Sequence, residues 1–364
     1  MTERAILVLE DGSTYEGFSF GSQNDACGEV VFNTSMAGYQ EMLTDPSYAG
    51  QIVMPTYPLI GNYGINEQDF ESSKIQVSGF VVREECLEPS HYLNKKTIHQ
   101  YLTENNIPGI CGIDTRAITR KLRSTGVMRG TITTTKTPQQ ALGDVKAMSD
   151  YNSIDFVQKV STDSKYEWQA DKDNSDLAYN IVALDCGLKY SILRILHSLG
   201  CRITVVPCTT PAEEILKLNP NGILLSPGPG NPEMLNYIVD TVRTLAGKKP
   251  IMGICLGVQL IGRAFGAGTF KLKFGHRGSN HPVKDLSDGR VYITAQNHGY
   301  ALDPDTVKNG LEVSHINLND GTVEGVRHTE LPIFAIQYHS EASPGPLDNT
   351  YLFKKFLETV KSEK

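Results

Sequence analysis

The 364-residue sequence predicts two α/β domains: an N-terminal strand-rich, mixed α/β domain and a C-terminal domain with a mostly parallel sheet flanked by helices. In the second half, short apolar runs alternate with helical patterns, which is typical of a parallel sheet covered by helices. In the first half, short strand-like runs predominate, and a polar, acidic stretch separates the halves. The length suits two ordinary domains. We expect them at residues 1–150 and 179–364, with a connection at 151–178.

The N-terminal half opens on a predicted β-hairpin. Ile6–Leu9 and Thr14–Phe18 are strand-like and flank Asp11-Gly12, a dipeptide typical of a tight hairpin turn. More short strands follow, and Arg116–Leu122 is predicted to be helical. The polar run Gln169–Asp176 indicates an exposed connection between the domains.

The C-terminal half contains apolar runs separated by helical patterns. The predicted strands are Ile181–Asp185, Arg202–Val206, Gly222–Leu225, Pro250–Met252 and Ile333–Ile336, and the predicted helices include Tyr190–Leu199, Pro211–Leu218 and a segment that begins with Val258–Ile261. In open parallel sheets, ligand sites lie beyond the carboxyl ends of the strands. We therefore expect functional residues directly after two of these strands, at residues 226–232 and 253–257.

A cysteine lies between two glycines at the predicted strand-to-helix turn Gly253–Gly257. Glycines allow a tight turn and close approach of a substrate, as in a nucleophile elbow. The following helix would direct its N–H groups and positive dipole end at the sulfur of Cys255, which favours the thiolate. The alternative is a buried cysteine packed between two turn glycines.

Two further segments complete a candidate catalytic set. His339 and Glu341 follow an apolar strand, and residues two apart on a strand share one face. If the extended conformation continues that far, Glu341 can orient the imidazole as the base of Cys255. The loop at 226–232, SPGPGNP, is suited to present backbone N–H donors to an oxyanion. Taken singly, a solvated ion pair and an ordinary strand-ending turn remain the alternatives.

With SPGPGNP at 226–232, GICLG at 253–257 and QYHSE at 337–341 in this order, the sequence resembles the class I, triad-type glutamine amidotransferases, whose fold is flavodoxin-like. The resemblance implies that Cys255 is the nucleophile that forms a glutamyl thioester, His339 the general acid/base and Glu341 its orienting partner. It also implies an oxyanion hole from the Gly228 and Leu256 N–H groups, and a contact between Gln259 and glutamine.

Other segments resemble the small subunit of carbamoyl-phosphate synthetase. They are residues 30–41, 45–48, 61–64, 112–116, 119–120 and 126 in the N-terminal half, and 274–283 and 296–300 in the C-terminal half. This second resemblance covers nearly the whole chain. It implies that glutamine also contacts Ser47, Gly230, Asn297, Gly299 and Tyr300. By default, Asp-Pro-Ser-Tyr at 45–48 would be an ordinary turn, and Asn-His-Gly at 297–299 a hairpin turn.

The resemblance implies a glutaminase subunit that delivers ammonia to a separate large synthetase subunit. That partner would use ATP, Mg²⁺ and bicarbonate, so we expect no cofactor in this chain, and the sequence has no phosphate-binding loop of the G-x-x-x-x-G-K-[ST] type. Two departures from the family pattern are Pro227 and Asn231 in the glycine loop, and Tyr300 in place of a common phenylalanine. Alternatives are an amidotransferase subunit of another synthase, of the anthranilate type, and a non-catalytic regulatory module.

Composition excludes some classes of protein. A net charge of −7 argues against a nucleic-acid partner, and the N-terminus resembles neither a signal peptide nor a membrane span. Seven scattered cysteines, an odd number without a C-x-x-C pair, favour a reducing cytoplasm. His276 and His281 lie five apart in a predicted glycine-rich loop without cysteine or carboxylate companions, so we expect no metal site.

Overall fold

A computed structural model of the chain describes residues 3–169 and 177–363, which form two compact units, residues 1–154 and 155–364. The elements of the first unit are β1 (Arg4–Leu9), β2 (Thr14–Gly21), β3 (Ala26–Asn33), α1 (Tyr39–Thr44), β4 (Gln51–Pro55), β5 (Leu59–Ile60), β6 (Gly79–Val81), β7 (Glu84–Glu85), α2 (Ile98–Glu104), β8 (Pro108–Cys111), α3 (Thr115–Thr125), β9 (Met128–Thr133) and α4 (Pro138–Ala147).

The first unit is built on a closed barrel in the order β1-β2-β8-β6-β4-β3-β9, in which β9 pairs with β1. The predicted hairpin is confirmed: β1 and β2 are antiparallel, and Gly12 takes a φ of 85° in the turn between them. The predicted helix at 116–122 is confirmed as the centre of α3. The sequence indicated a strand-rich mixed domain but not the closure, since closure depends on pairing between strands far apart in the chain.

The elements of the second unit are α5 (Val157–Val160), β10 (Tyr166–Glu167), β11 (Tyr179–Asp185), α6 (Tyr190–Ser198), β12 (Cys201–Pro207), α7 (Ala212–Lys217), β13 (Gly222–Leu225), α8 (Asn236–Leu245), β14 (Ile251–Ile254), α9 (Leu256–Ala264), β15 (Thr269–Asp285), β16 (Val291–Leu302), β17 (Leu311–Asn317), β18 (Val323–His328), β19 (Ile333–Ile336) and α10 (Tyr351–Ser362).

These strands form one sheet in the order β10-β12-β11-β13-β14-β19-β18-β17-β15-β16. Neighbours in β12-β11-β13-β14-β19 are parallel, which confirms the predicted flavodoxin-like sheet. From β19 onward, the pairs that involve β18, β17, β15 and β16 are antiparallel. The sequence did not indicate this antiparallel extension, because β15 contains glycines and charged side chains that favoured a loop.

Alternate residues of β11 enter two different hydrophobic cores. Val182 and Leu184 pack with residues of α7, α8 and α9, whereas Ile181 and Ala183 pack with residues of α6 and α10. Each fully buried aliphatic side chain contributes about 1.5–3 kcal/mol. Helices therefore cover both faces of the parallel strands, and only the strand ends are left to carry a site.

The segment that was predicted as a connection carries regular structure in its first part. Val157 in α5 is fully buried, and β10 pairs antiparallel with β12 at the edge of the sheet. Most of the acidic run, residues 170–176, lies outside the described residues. Within residues 3–169 and 177–363, none of the helices combines the length and the hydropathy that a membrane span requires.

Candidate active site

The nucleophile elbow predicted around Cys255 is present in the fold. Cys255 lies between β14 and α9 with a φ of 53°, a conformation that is strained for a residue with a side chain. A Cβ added at Gly253 would lie 2.8 Å from Gly257 C, and one at Gly257 would lie 2.5 Å from Leu225 O. Both glycines are therefore required by close backbone contacts, as the turn predicted from the sequence demands.

His339 and Glu341 are in contact, as the sequence predicts. His339 Nδ1 lies 2.6 Å from Glu341 Oε1, and both side chains are buried. The extended conformation that we expected to bring them together ends earlier, with β19 at Ile336. His339 makes an isolated antiparallel bridge with Ala295, and Glu341 follows in a turn. The contact was thus predicted correctly, but the backbone conformation behind it was wrong.

Charge favours an ionised pair at this position. Burial lowers the pKa of His339, but the nearby charges of Glu341 and Cys255 raise it by more, and the pKa ends well above its ordinary value. His339 Nδ1 is engaged by Glu341, whereas Nε2 has no hydrogen-bond partner among the described residues. Nε2 is therefore the nitrogen available to exchange a proton with Cys255 or a substrate.

Lys189 is a third charged member that the sequence analysis missed. It occupies the N-cap position of α6 without capping the helix through its side chain, which is 2% exposed. Nζ donates to Glu341 Oε1 at 3.0 Å and to the Ala342 carbonyl at 2.8 Å. Burial raises the pKa of Glu341, but Lys189 and His339 lower it by more, so this carboxylate stays ionised. We call Lys189, Glu341 and His339 the ionic triad.

The cysteine sulfur contacts polar groups from two other segments of the second unit. Gln337 Nε2 donates to Cys255 Sγ at 3.6 Å, and the thiol lies 3.7 Å from the Asn297 carbonyl oxygen. Gln259 Nε2 donates to the Tyr300 carbonyl at 2.9 Å and to Gln337 Oε1 at 3.0 Å. Of the predicted residues, Asn297 thus contacts the sulfur directly, whereas Gln259 and Tyr300 are connected to it through Gln337.

The glycine loop lies beside the elbow. A Cβ at Gly228 would lie 2.1 Å from Cys186 O and 2.8 Å from Leu256 Cδ2, so only glycine fits there. In the described part of the chain, the N–H groups of Gly228 and Leu256 have no protein acceptor. Two unpaired N–H donors next to Cys255 suit an oxyanion hole.

Side-chain hydrogen bonds hold the rest of the loop, including the positions that depart from the family pattern. Ser226 Oγ accepts from the Cys186 N–H group and donates to the Pro227 carbonyl, both at 2.8 Å. Gly230 takes a φ of 89°, and the side chain of Asn231 accepts from the Glu233 N–H group at 3.0 Å. Asparagine therefore caps the following turn in the way that aspartate would.

The hairpin-turn alternative for Asn297–Gly299 is wrong. These residues and Tyr300 lie inside β16, where Arg277 of β15 is opposite Asn297 and Lys271 is opposite Tyr300. The predicted glycine-rich loop around His276 is likewise part of β15, with register shifts at the glycines. Regular strands thus hold this candidate binding segment.

Ser47 belongs to the first unit. Its N–H group donates to Asp45 Oδ1 at 2.9 Å, in a turn of 3₁₀ helix over Pro46–Tyr48. Its hydroxyl is buried and has no hydrogen-bond partner among the described residues. The turn expected by default is therefore present, but the Ser47 hydroxyl takes no part in its hydrogen bonding. The role of Ser47 in glutamine binding stays a prediction.

Comparison with known proteins identifies the family. The family model described as "Carbamoyl-phosphate synthase small chain, CPSase domain" matches residues 7–132, and "Glutamine amidotransferase class-I" matches residues 182–359. A carbamoyl phosphate synthase small chain of Staphylococcus epidermidis is 52% identical over 365 residues, which are 100% of this chain and 98% of the relative. This chain belongs to the carbamoyl phosphate synthase small chain family.

Other relatives of the same name are nearly as similar. The carbamoyl phosphate synthase small chain of Aquifex aeolicus is 50% identical and covers 98% of this chain and 99% of its own length. That of Akkermansia muciniphila is 51% identical, with 99% and 98% covered. Membership in this family therefore extends over both units, including the connection between the two matched domains.

Proposed function

We propose that this chain is the glutamine-hydrolysing subunit of a carbamoyl phosphate synthase. The observation that carries the proposal is the buried set of Cys255, His339, Glu341 and Lys189, with the sulfur at a strained elbow beside two unpaired N–H donors. Family membership adds the substrate: relatives at about half identity are carbamoyl phosphate synthase small chains, and the second unit matches class I glutamine amidotransferases.

The first half of the reaction forms a thioester. The Cys255 thiolate attacks the side-chain carboxamide carbon of glutamine, and the N–H groups of Gly228 and Leu256 stabilise the oxyanion. The His339 imidazolium gives its proton to the departing nitrogen, so that ammonia leaves and the glutamyl thioester remains. Glu341 holds the imidazolium during this step.

The second half hydrolyses the thioester. His339, now neutral, takes a proton from water, and the resulting hydroxide attacks the thioester carbonyl at the same oxyanion hole. The carbon–sulfur bond breaks, glutamate leaves and the thiolate returns. Gly230, Gln259, Asn297, Gly299 and Tyr300 would bind the substrate during both steps, and no cofactor takes part in either.

The proposal includes a heterodimer in the cytoplasm. Ammonia would pass to a large synthetase chain that makes carbamoyl phosphate from bicarbonate and ATP, for arginine biosynthesis, pyrimidine biosynthesis or both. The family name, a small chain, supports a large partner. The seven cysteines are all free thiols in the structure, which supports a reducing compartment.

The test is Cys255→Ser in a complex reconstituted with the large chain. We expect glutamine-dependent carbamoyl phosphate synthesis to disappear while ammonia-dependent synthesis is retained, because serine cannot form the thioester. Cys201→Ser is the matched control, since Cys201 is also buried but lies at the start of β12. Equal loss of both activities in Cys255→Ser would mean that Cys255 serves the fold and not the chemistry.

A further inference from the structure

Three buried side chains from the antiparallel part of the second unit converge on one point. His276 lies in β15, His298 in β16 and Glu324 in β18, and they are 6%, 5% and 0% exposed. One donor atom from each lies within 4.8 Å of the others. We call these three residues the His-His-Glu cluster. No cysteine or carboxylate accompanies His276 in the sequence, so no metal site was expected there, but the fold brings Glu324 to it.

The tautomer of His298 is fixed by its backbone contact. Its Nδ1 lies 2.8 Å from the Tyr300 carbonyl oxygen, which can only accept, so Nδ1 carries the hydrogen. Nε2 therefore presents a lone pair. It is buried and has no hydrogen-bond partner among the described residues.

His276 is oriented in the same way by a carboxylate. Its Nε2 lies 2.9 Å from Asp320 Oδ2, and its Nδ1 lies 3.6 Å from Glu324 Oε1. When Nε2–H donates to Asp320, the Nδ1 lone pair faces a carboxylate oxygen. Asn317 Nδ2 lies 3.5 Å from His276 Nδ1 and 2.8 Å from Glu324 Oε1, and a positive charge between the two acceptors would relieve their repulsion further.

The carboxylate is itself held by amides. Asn317 Nδ2 donates to Glu324 Oε1 at 2.8 Å, and Gln296 Nε2 donates to Oε2 at 2.9 Å. A carboxylate, a carbonyl and two amides thus orient the three inner side chains. Carboxylate–histidine and carbonyl–histidine contacts of this kind are typical of the groups that surround metal ligands.

We propose that His276, His298 and Glu324 bind one divalent metal ion of the zinc class. Two imidazole nitrogens and a carboxylate oxygen are a common zinc ligand set, and imidazole selects Zn²⁺ and its neighbours over Mg²⁺ and Ca²⁺. Ligands at about 2.1 Å in a tetrahedron lie roughly 3.4 Å apart, so the 3.6 Å between His276 Nδ1 and Glu324 Oε1 is close to the required spacing.

The ion would have a structural role next to the candidate active site. It would join β15, β16 and β18 through one ligand from each. His298 follows Asn297, whose carbonyl oxygen lies 3.7 Å from Cys255 Sγ, and it shares the Tyr300 carbonyl with Gln259. Metal loss should therefore loosen the segment at 297–300 without removing any group that reacts.

The competing occupant is a proton on His276. Burial lowers the pKa of this residue, but Glu324 and Asp320 raise it by more, and the net direction is upward. The neighbouring rings of His281 and His298 also face it. A proton would satisfy Glu324 but would leave the lone pair of His298 unpaired, whereas a metal ion engages all three side chains.

The experiment is Zn²⁺ titration of the full chain after treatment with a chelator. Calorimetry should give one tight site per chain, and Glu324→Gln and His298→Gln should remove it. His315→Gln is the matched control, because His315 is buried and lies 3.4 Å from the carboxylate of Asp285 but outside the cluster. Asp320→Asn should weaken Zn²⁺ affinity roughly 10–100-fold, since it removes only an outer contact.

Co²⁺ distinguishes this site from the cysteines. Bound by nitrogen and oxygen, Co²⁺ should give visible d–d bands without the intense near-ultraviolet sulfur charge-transfer band. That band, or equal Zn²⁺ binding by wild type and Asp320→Asn, would overturn the proposal. Absence of stoichiometric Zn²⁺ binding by the wild-type chain would also overturn it, in favour of the proton. Asp320 is half-exposed, so the Asp320→Asn variant still tests the proposal if Glu324→Gln and His298→Gln do not fold.

Discussion

Replacing Lys189 with methionine removes one of the two cations of the ionic triad and leaves the buried Glu341 carboxylate with His339 alone as its charged partner. The Lys189 and Glu341 side chains are 2% and 0% exposed and 3.0 Å apart. Removing one partner of a buried ion pair costs about 3–5 kcal/mol. In a domain of 150–250 residues this corresponds to a Tm lower by roughly 6–20 °C. The exposed lysine Lys248 provides the control, and Lys248→Met should leave Tm nearly unchanged.

The same change should reduce catalysis by acting on His339. Without Lys189, burial raises the pKa of Glu341 with only the imidazolium to oppose it. A carboxyl group that takes up a proton holds the imidazolium less well. General acid/base catalysis supplies roughly 10²–10⁴-fold, and His339 itself remains, so we expect kcat for glutamine hydrolysis to fall by about 10²-fold. Glutamate release from glutamine is the assay.

A double-mutant cycle separates the ion pair from other effects of Lys189. Glu341→Gln alone leaves Lys189 without its carboxylate partner, and the double variant removes both charges of this pair. The two single changes should therefore be less than additive in stability, with a coupling of about 0.5–3 kcal/mol. Additive losses, or a Lys189→Met protein with wild-type turnover and Tm, would refute the role that we assign to the ionic triad.

Three further predictions concern the elbow and the base. Gly257→Ala should lower both Tm and kcat because its Cβ would meet Leu225 O at 2.5 Å, whereas Gly143→Ala, in open space on α4, should raise stability by about 0.4–1 kcal/mol; equal effects would refute the close-contact argument. His339→Asn should reduce glutaminase kcat roughly 10²–10⁴-fold and Glu341→Ala by less; unchanged turnover in His339→Asn would identify another base. Because neighbouring positive charge holds the pKa of Glu341 below its ordinary 4.5, its stabilisation is complete above that pH and is lost below it. Tm should therefore fall more steeply with acid in wild type than in Glu341→Gln, and parallel curves would contradict this.

Local patterns predicted the parts of the site that depend on neighbours in the sequence. The elbow at Cys255 follows from two glycines between a strand and a helix, and both prove sterically necessary. The His339–Glu341 contact follows from their spacing of two residues, although a turn and not a strand brings them together. The hairpin at Asp11-Gly12 is a third case of this kind.

Contacts across long sequence separations were not predictable. Lys189 is 152 residues from Glu341, and nothing in the neighbouring sequence distinguishes it from a surface lysine before a helix. Glu324 is likewise 48 residues from His276, and β17 lies between their two strands in the sheet. Such contacts depend on which strands pair, and single-sequence periodicity does not give that order.

Labelling with a thiol-reactive glutamine analogue tests the central claim most directly. The chain has seven free cysteines, so the six thiols other than Cys255 act as internal controls. Two of these six, Cys186 and Cys201, are buried, and burial raises their pKa values. We predict one label per chain, on Cys255, at a rate that glutamine suppresses and that His339→Asn lowers, as peptide mass mapping would show. Labelling of another cysteine, or labelling of Cys255 that glutamine does not slow, would contradict a thiolate at Cys255 that is activated by His339 and attacks bound glutamine.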